Sequence, residues 1–178
     1  MTRTHVGWFA VATLLAAGMP VDATVLIPVD LPVLSREAAT IVRGRVVATD
    51  ARWAGRDIET LVTLEVESSL KGAGDGIVHF RVPGGQVGRY RRLVIGAPAF
   101  APGQRVVVFL SAASANAPHL IGFSQGVFRV ESTAFGYRVT PPVAAGPDGP
   151  IVRGNPNLRP LTLGEFERQV RQFVEAGR

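Results

Sequence analysis

Residues 40–51 read TIVRGRVVATDA, a run dense in β-branched side chains and interrupted once, by Gly44. β-Branched residues suit a pleated, half-buried surface, so the run predicts a strand. A glycine inside a strand marks a bulge or a sharp coil. A few residues on, 58–70 alternate, with Val62, Leu64 and Val66 on one face and Thr63, Glu65 and Glu67 on the other, the period of a strand with one buried side. Residues 53–57, WAGRD, supply the turn between them. Two long strands, the first coiled at a glycine, are the opening of a small antiparallel barrel or sandwich.

Working outward, KGAGDG at 71–76 is a turn, and 77–83 set Val78, Phe80 and Val82 against His79 and Arg81, so a hairpin is expected. Residues 84–104 carry Gly84, Gly85, Gly88, Gly96, Pro98, Pro102 and Gly103. That is too long for an idle turn, and long ordered loops in compact domains are usually functional. The unbroken apolar run at 106–110 predicts a buried strand over 105–110. Residues 120–123 and 126–131 read as one strand bent across Ser124-Gln125-Gly126, and 136–140 as the close of a last hairpin. Leu31, Leu34 and Ala38 sit at helical spacing behind an Asp30 N-cap, with Pro32 in the first turn. After a loop at 141–160, rich in Pro, Gly and Asn, Thr162 and Glu165 form a capping box. Leu163, Phe166, Val170, Phe173 and Val174 then repeat at helical spacing, a stripe that should cover the barrel. The order of elements is that of a mainly β, partly open Greek-key barrel at about 39–140 with a helix at about 162–176.

The N-terminus begins MTRTH, continues through the apolar residues 6–17, and breaks at Gly18 and Pro20. That is the layout of a secretory signal; about 20 apolar residues would be needed to span a bilayer. Cleavage is expected between Ala23 and Thr24, leaving one domain at 24–178, secreted or periplasmic, with no later span. The absence of cysteine excludes disulfides, thiol catalysis and Cys-ligated zinc. Removing Arg3 and Asp22 with the signal leaves 18 basic and 13 acidic residues, a net charge of +5, from 19 and 14 in the whole chain. Lys71 is the single lysine. Arginine dominance with abundant Ala, Gly and Val fits a GC-rich bacterial genome, and net charge bears on solubility and adhesion rather than on ligand identity.

Three stretches together resemble a known group: 39–46, ATIVRGRV; 62–66, VTLEV, followed by Leu70-Lys71-Gly72; and 100–110, FAPGQRVVVFL. Across roughly 39–130 they look like the netrin-module and tissue-inhibitor-of-metalloproteinase-like group, which includes secreted bacterial proteins. The resemblance implies an OB-fold-like barrel and an extracellular or periplasmic protein partner, with a protease among the candidates. In those inhibitors a disulfide-held N-terminal cysteine reaches the protease zinc. Here the expected first residue is Thr24, so the resemblance carries over a fold and no inhibitory residue.

The chemistry-bearing residues are sparse. His5 falls in the signal, and His79 and His119 are too few for a histidine zinc triad. Neither stands in an HExxH, and they read as a surface strand residue and a loop residue. No serine lies in GxSxG, the glycines at 71–76 are not followed by GK[ST], and Asp57, Asp75 and Asp148 are dispersed among turns. No catalytic residue, metal site or cofactor is expected. The candidate surface is Arg89-Tyr90-Arg91-Arg92 in the long loop, with His79 and Arg81 on the strand leading into it. Read as an exposed hairpin, its arginines would be solvated or paired with Glu65 and Glu67. Two functions follow: a non-enzymatic protein-interaction module, or a polyanion or glycan binder using the same arginines.

Overall fold

The computed structural model describes residues 28–72, 74, 76–112, 117–141, 144–146, 149–151 and 159–177. The expected signal and its cleavage site, His5, Asp75, Asp148 and much of the loop at 141–160 lie outside these residues.

The strand at 40–51 is longer than its β-branched core: β1 spans Thr40–Ala54 and β2 spans Asp57–Lys71. They form one antiparallel ribbon turning on Gly55 and Arg56, so Trp53 is a strand residue opposite Ile58 rather than part of the turn. The ribbon's register slips between Arg43 and Gly44, as the lone glycine implies. There the chains approach so closely that a Cβ at Gly44 would lie 2.2 Å from the carbonyl oxygen of Glu65. β3 (Ile77–Pro83) pairs with β2. The chain then forms a small hairpin, β4 (Gly85–Val87) and β5 (Tyr90–Arg92), before β6 (Arg105–Leu110) returns to lie beside β1. Three consecutive strands with a fourth beside the first define a Greek key.

Beyond β6 lie β7 (Val127–Thr133) and β8 (Gly136–Thr140), and later β9 (Ala144–Gly146), β10 (Gly149–Ile151) and β11 (Leu161–Thr162). The main sheet has seven strands in the order β11-β8-β7-β6-β1-β2-β3. It is a curled antiparallel half-barrel. The expected bend before β7 is a 3-10 turn at Phe123–Gly126. The segment ahead of that turn works on both sides: Leu120 bridges antiparallel to Leu110, and His119 bridges in parallel to Arg81 on β3. The Arg81 amide donates to the Pro118 carbonyl at 3.0 Å. That narrow contact brings edge strand β3 round toward the end of β6, leaving an OB-fold-like barrel that is partly open.

Alternation sorts the core into two layers. Val106, Val108 and Leu110 point inward with Val42, Val46, Val62, Leu64, Phe80 and Val82, while Val107 and Phe109 point outward to the helices. The apolar run of β6 is thus buried, as expected, and on both sides. Helix α1 (Leu31–Glu37) inserts Leu31 and Leu34, and its last carbonyls, those of Ser35 and Arg36, accept from the Lys71 ammonium at 2.9 Å. Helix α2 (Leu163–Ala176) has the expected capping box at Thr162 and Glu165. It buries Phe166, Val170 and Val174, with Phe166 against Phe128 at a ring separation of 4.8 Å. Of the expected stripe, Phe173 is only half-buried at the margin while Val174 is buried, so the stripe is centred on the Val174 side. No helix among the described residues is long and apolar enough to cross a membrane.

Candidate functional site

The long loop folds back over the barrel's end. Gly84 donates its amide to the Ile58 carbonyl at 2.8 Å, and the Thr60 hydroxyl donates to the Gly84 carbonyl at 2.7 Å. Gly85, at φ +137°, passes so close that a Cβ there would lie 2.5 Å from the Thr60 hydroxyl and 3.0 Å from the Ala51 side chain. Only glycine tolerates both the dihedral and the approach. The hairpin of β4 and β5 is thereby held against the tip of the β1–β2 ribbon, which carries Arg52, Trp53, Arg56 and Asp57.

Two chemical features result. The first is a ridge. Trp53 and Tyr90 meet edge to face, with ring centroids 5.6 Å apart, yet remain 49 % and 51 % exposed. The Arg89 guanidinium lies 5.1 Å above the Tyr90 ring and donates to its hydroxyl, a cation–π arrangement. Arg92 pairs with Asp57 at 3.3 Å. Leu93 and Ile95 stand exposed on the same loop. The second feature is a cleft of about 590 Å³ between loop and barrel, floored by Thr49, Thr60 and Val82 and walled by Arg91, Val94 and Phe100.

The expected surface residues divide between two faces. Arg89, Tyr90, Arg91 and Arg92 stand together, all exposed, on the hairpin. His79 and Arg81 lie on the strand face opposite Phe80 and Val82, away from the cleft that Val82 floors. The exposed His79 ring approaches the Thr63 hydroxyl at 3.2 Å, and Arg81 pairs with Glu59 at 3.2 Å. The expected pairing of the loop arginines with Glu65 and Glu67 does not occur. Glu65 binds Arg45 at 2.7 Å, and Glu67 binds both Arg43 and Arg105 at 2.8 Å, on the helix-side face of the sheet. Alternation gives the physical reason: those glutamates point away from the face that the loop crosses.

Sequence reasoning missed Trp53 as the partner of Tyr90. The missed signal was a strand pattern in which Ala51 and Trp53 continue the inward face set by Thr49. It also missed a contact of the Ser111 hydroxyl with His119 Nδ1 at 2.9 Å. His119 lies outside the named strands, as expected of a loop residue, and is tied there by the isolated bridge to Arg81 and by Ser111. A nucleophilic serine needs a base that is itself oriented by a third group. No carboxylate is paired with His119 among the described residues, which also hold no cluster of three metal-ligating side chains. Compared with protein families and with curated proteins, the chain finds no match.

Proposed function

We propose that this is an exported binding protein, not an enzyme, whose ridge at the barrel's end docks an extracellular or periplasmic protein with an acidic, partly apolar surface. The observation that carries the reading is the exposed Trp53–Tyr90 pair beneath Arg89. Trp, Tyr and Arg are the residues that dominate binding energy at protein interfaces. Here they are held in one cluster by a ribbon tip and a glycine-fixed hairpin. Charge complementarity sets the partner's sign. Arg52, Arg56, Arg89, Arg91 and Arg92 face Asp50, Asp57 and Glu59 at this end, and Asp57 and Glu59 already have arginine partners. The resemblance to the netrin-module group points the same way, toward an extracellular protein partner such as a protease.

The run of exposed arginines favours a second reading, a polyanion or glycan bound along residues 89–92. Salt separates the two. Polyanion affinity falls steeply with ionic strength through counterion release, whereas an interface anchored on aromatic rings loses little. A pull-down from the native secreted fraction with the parent protein and with Trp53→Ala and Tyr90→Ala baits tests the proposal. A protein retained through moderate salt by the parent, and lost from both variants, supports it. Retention by both variants, or a bound polysaccharide or nucleic acid released by salt, overturns it. Export has its own test: the N-terminus of the mature protein should be Thr24 or within a few residues of it. An intact Met1 on the exported form would refute the signal.

A further inference from the structure

We propose that the cleft beneath the loop is a separate site for a small amphipathic monoanion, a carboxylate carried on an aliphatic body. Its volume, about 590 Å³, falls within the range of small-molecule pockets, roughly 300–1,000 Å³. Its lining combines apolar side chains, Val82, Val94 and Phe100 among them, with polar groups in about equal measure. Val82 and Phe100 extend the inward-facing core of the barrel to the cleft surface, and Phe100 is held edge to face against the buried Phe80 at 5.3 Å. An aliphatic chain laid there would continue the barrel core. Polar recognition is confined to Thr49, Thr60, Gln86 and the two arginines.

The arginines set the ligand's charge. Arg92 is engaged with Asp57, whereas Arg91 has no ion pair among the described residues. No acidic residue lines the cleft. One uncommitted guanidinium beside apolar walls fits a single carboxylate, which arginine binds in a two-pronged geometry. It does not match a dianion or a cation. The backbone supports a preformed site, since the Gly84 and Gly85 contacts fix the hairpin without a ligand. Trp53 and Tyr90 do not line the cleft, so this site and the docking ridge can be removed separately.

Isothermal titration of the protein with decanoate, 1-decanol and decylamine, each below its micelle concentration, tests the inference. Decanoate should bind one to one and bind more tightly than either comparator. Arg91→Ala should weaken decanoate by about tenfold or more while leaving decanol unchanged. Amide resonances of Thr49, Thr60, Gln86 and Val94 should shift on titration in the unsubstituted protein, a readout that depends on no variant. Trp53→Ala, which disrupts the ridge, should leave decanoate binding intact. The inference is overturned if decanoate fails to bind, if decanol or decylamine binds as tightly, if Arg91→Ala has no effect, or if the shifts fall outside the cleft. In Trp53→Ala, loss of partner capture with decanoate binding retained would uphold the cleft as a separate site; loss of decanoate binding in that variant would reject it.

Discussion

Arginines are used in opposite ways at two places in this molecule. On the helix-side face of the sheet, Glu67 accepts from Arg43 and Arg105 at once, and Arg43 reaches across to Glu167 of α2 at 2.9 Å. Arg105 also lies over the Tyr137 ring at 5.3 Å. Its hydrogen bond and charge interaction with Glu67 hold the guanidinium above its ordinary pKa. On the β4–β5 hairpin, Arg91 has no ion pair among the described residues, Arg89 rests on Tyr90, and the Arg92–Asp57 pair is more than half exposed on both sides. The first group joins a helix to a sheet. The second stands where a partner could use it. Multiply bonded pairs that are largely shielded from water cost more to break than fully exposed single ones, which contribute little to stability, so the difference between the regions can be measured.

The largest expected effect lies beneath the paired region. Phe166 is buried against Phe128 under α2, and replacing a buried Phe by Ala costs about 3–5 kcal/mol. For a domain of this size that corresponds to a fall in Tm of roughly 10 °C or more. Phe173→Ala should cost distinctly less, because that ring is only half-buried. Equal losses at the two positions would contradict the observed centring of the stripe on the Val174 side.

Next in size is Glu67→Gln, which leaves Arg43 and Arg105 without their shared carboxylate. The pairs are partly exposed, with Glu67 at 25 % and Arg105 at 39 % of side-chain accessibility, and the loss should be a fall of a few degrees in Tm. Binding at the far hairpin should not change. A Glu67→Gln protein as stable as the parent would show that the network is as dispensable as the hairpin arginines.

These two regions also show how far a single sequence can be read. Strands whose alternation is driven by burial were legible: β3 and β6 occupy the expected residues, and Gly44 sits at a slip in register. The capping box was legible because it is local, with both bonds formed between Thr162 and Glu165. What was not legible is non-local or short. Arg43 and Glu167 are 124 residues apart, and nothing in either neighbourhood points to the other. The partners of Glu65 and Glu67 depend on which face of the sheet the long loop crosses, a property of the barrel's closure rather than of any local run. The three-residue strands β4 and β5 are too short to show a period, and Trp53 lies past the β-branched stretch that marks β1. Within the candidate surface, Arg89, Tyr90, Arg91 and Arg92 could be named because they are contiguous; their aromatic partner and the cleft required the fold.

A smaller effect concerns pH. The Glu165 carboxylate accepts from the Thr162 hydroxyl at 2.7 Å and from its amide at 3.1 Å, and the side-chain bond foremost holds its pKa below the ordinary carboxylate value. A carboxylate with a depressed pKa in the folded state contributes stability that is fully present above its unfolded pKa and is lost as pH falls through the folded one. The advantage of the parent over Glu165→Gln should therefore be greatest near neutral pH and shrink as the medium is acidified below the ordinary carboxylate range. A difference that grows on acidification would reverse the sign of the argument.

The smallest expected effect on stability is the most informative about function. Arg91 is exposed, carries no ion pair among the described residues and borders the cleft. Removing such a side chain breaks no native bond, and surface changes of this kind usually fall within about 0.5 kcal/mol of neutral. Arg91→Ala should thus melt within about a degree of the parent, in contrast to Glu67→Gln. Its consequence should appear in binding instead, as weaker capture of a carboxylate by the cleft. Arg89 and Arg92 are like charges close to Arg91 on the hairpin, and an anionic ligand there would offset their mutual repulsion. If Arg91→Ala proves clearly stabilising and also leaves every binding measurement unchanged, the hairpin charge is only a cost. The contrast between paired and unpaired arginines would then reflect packing alone.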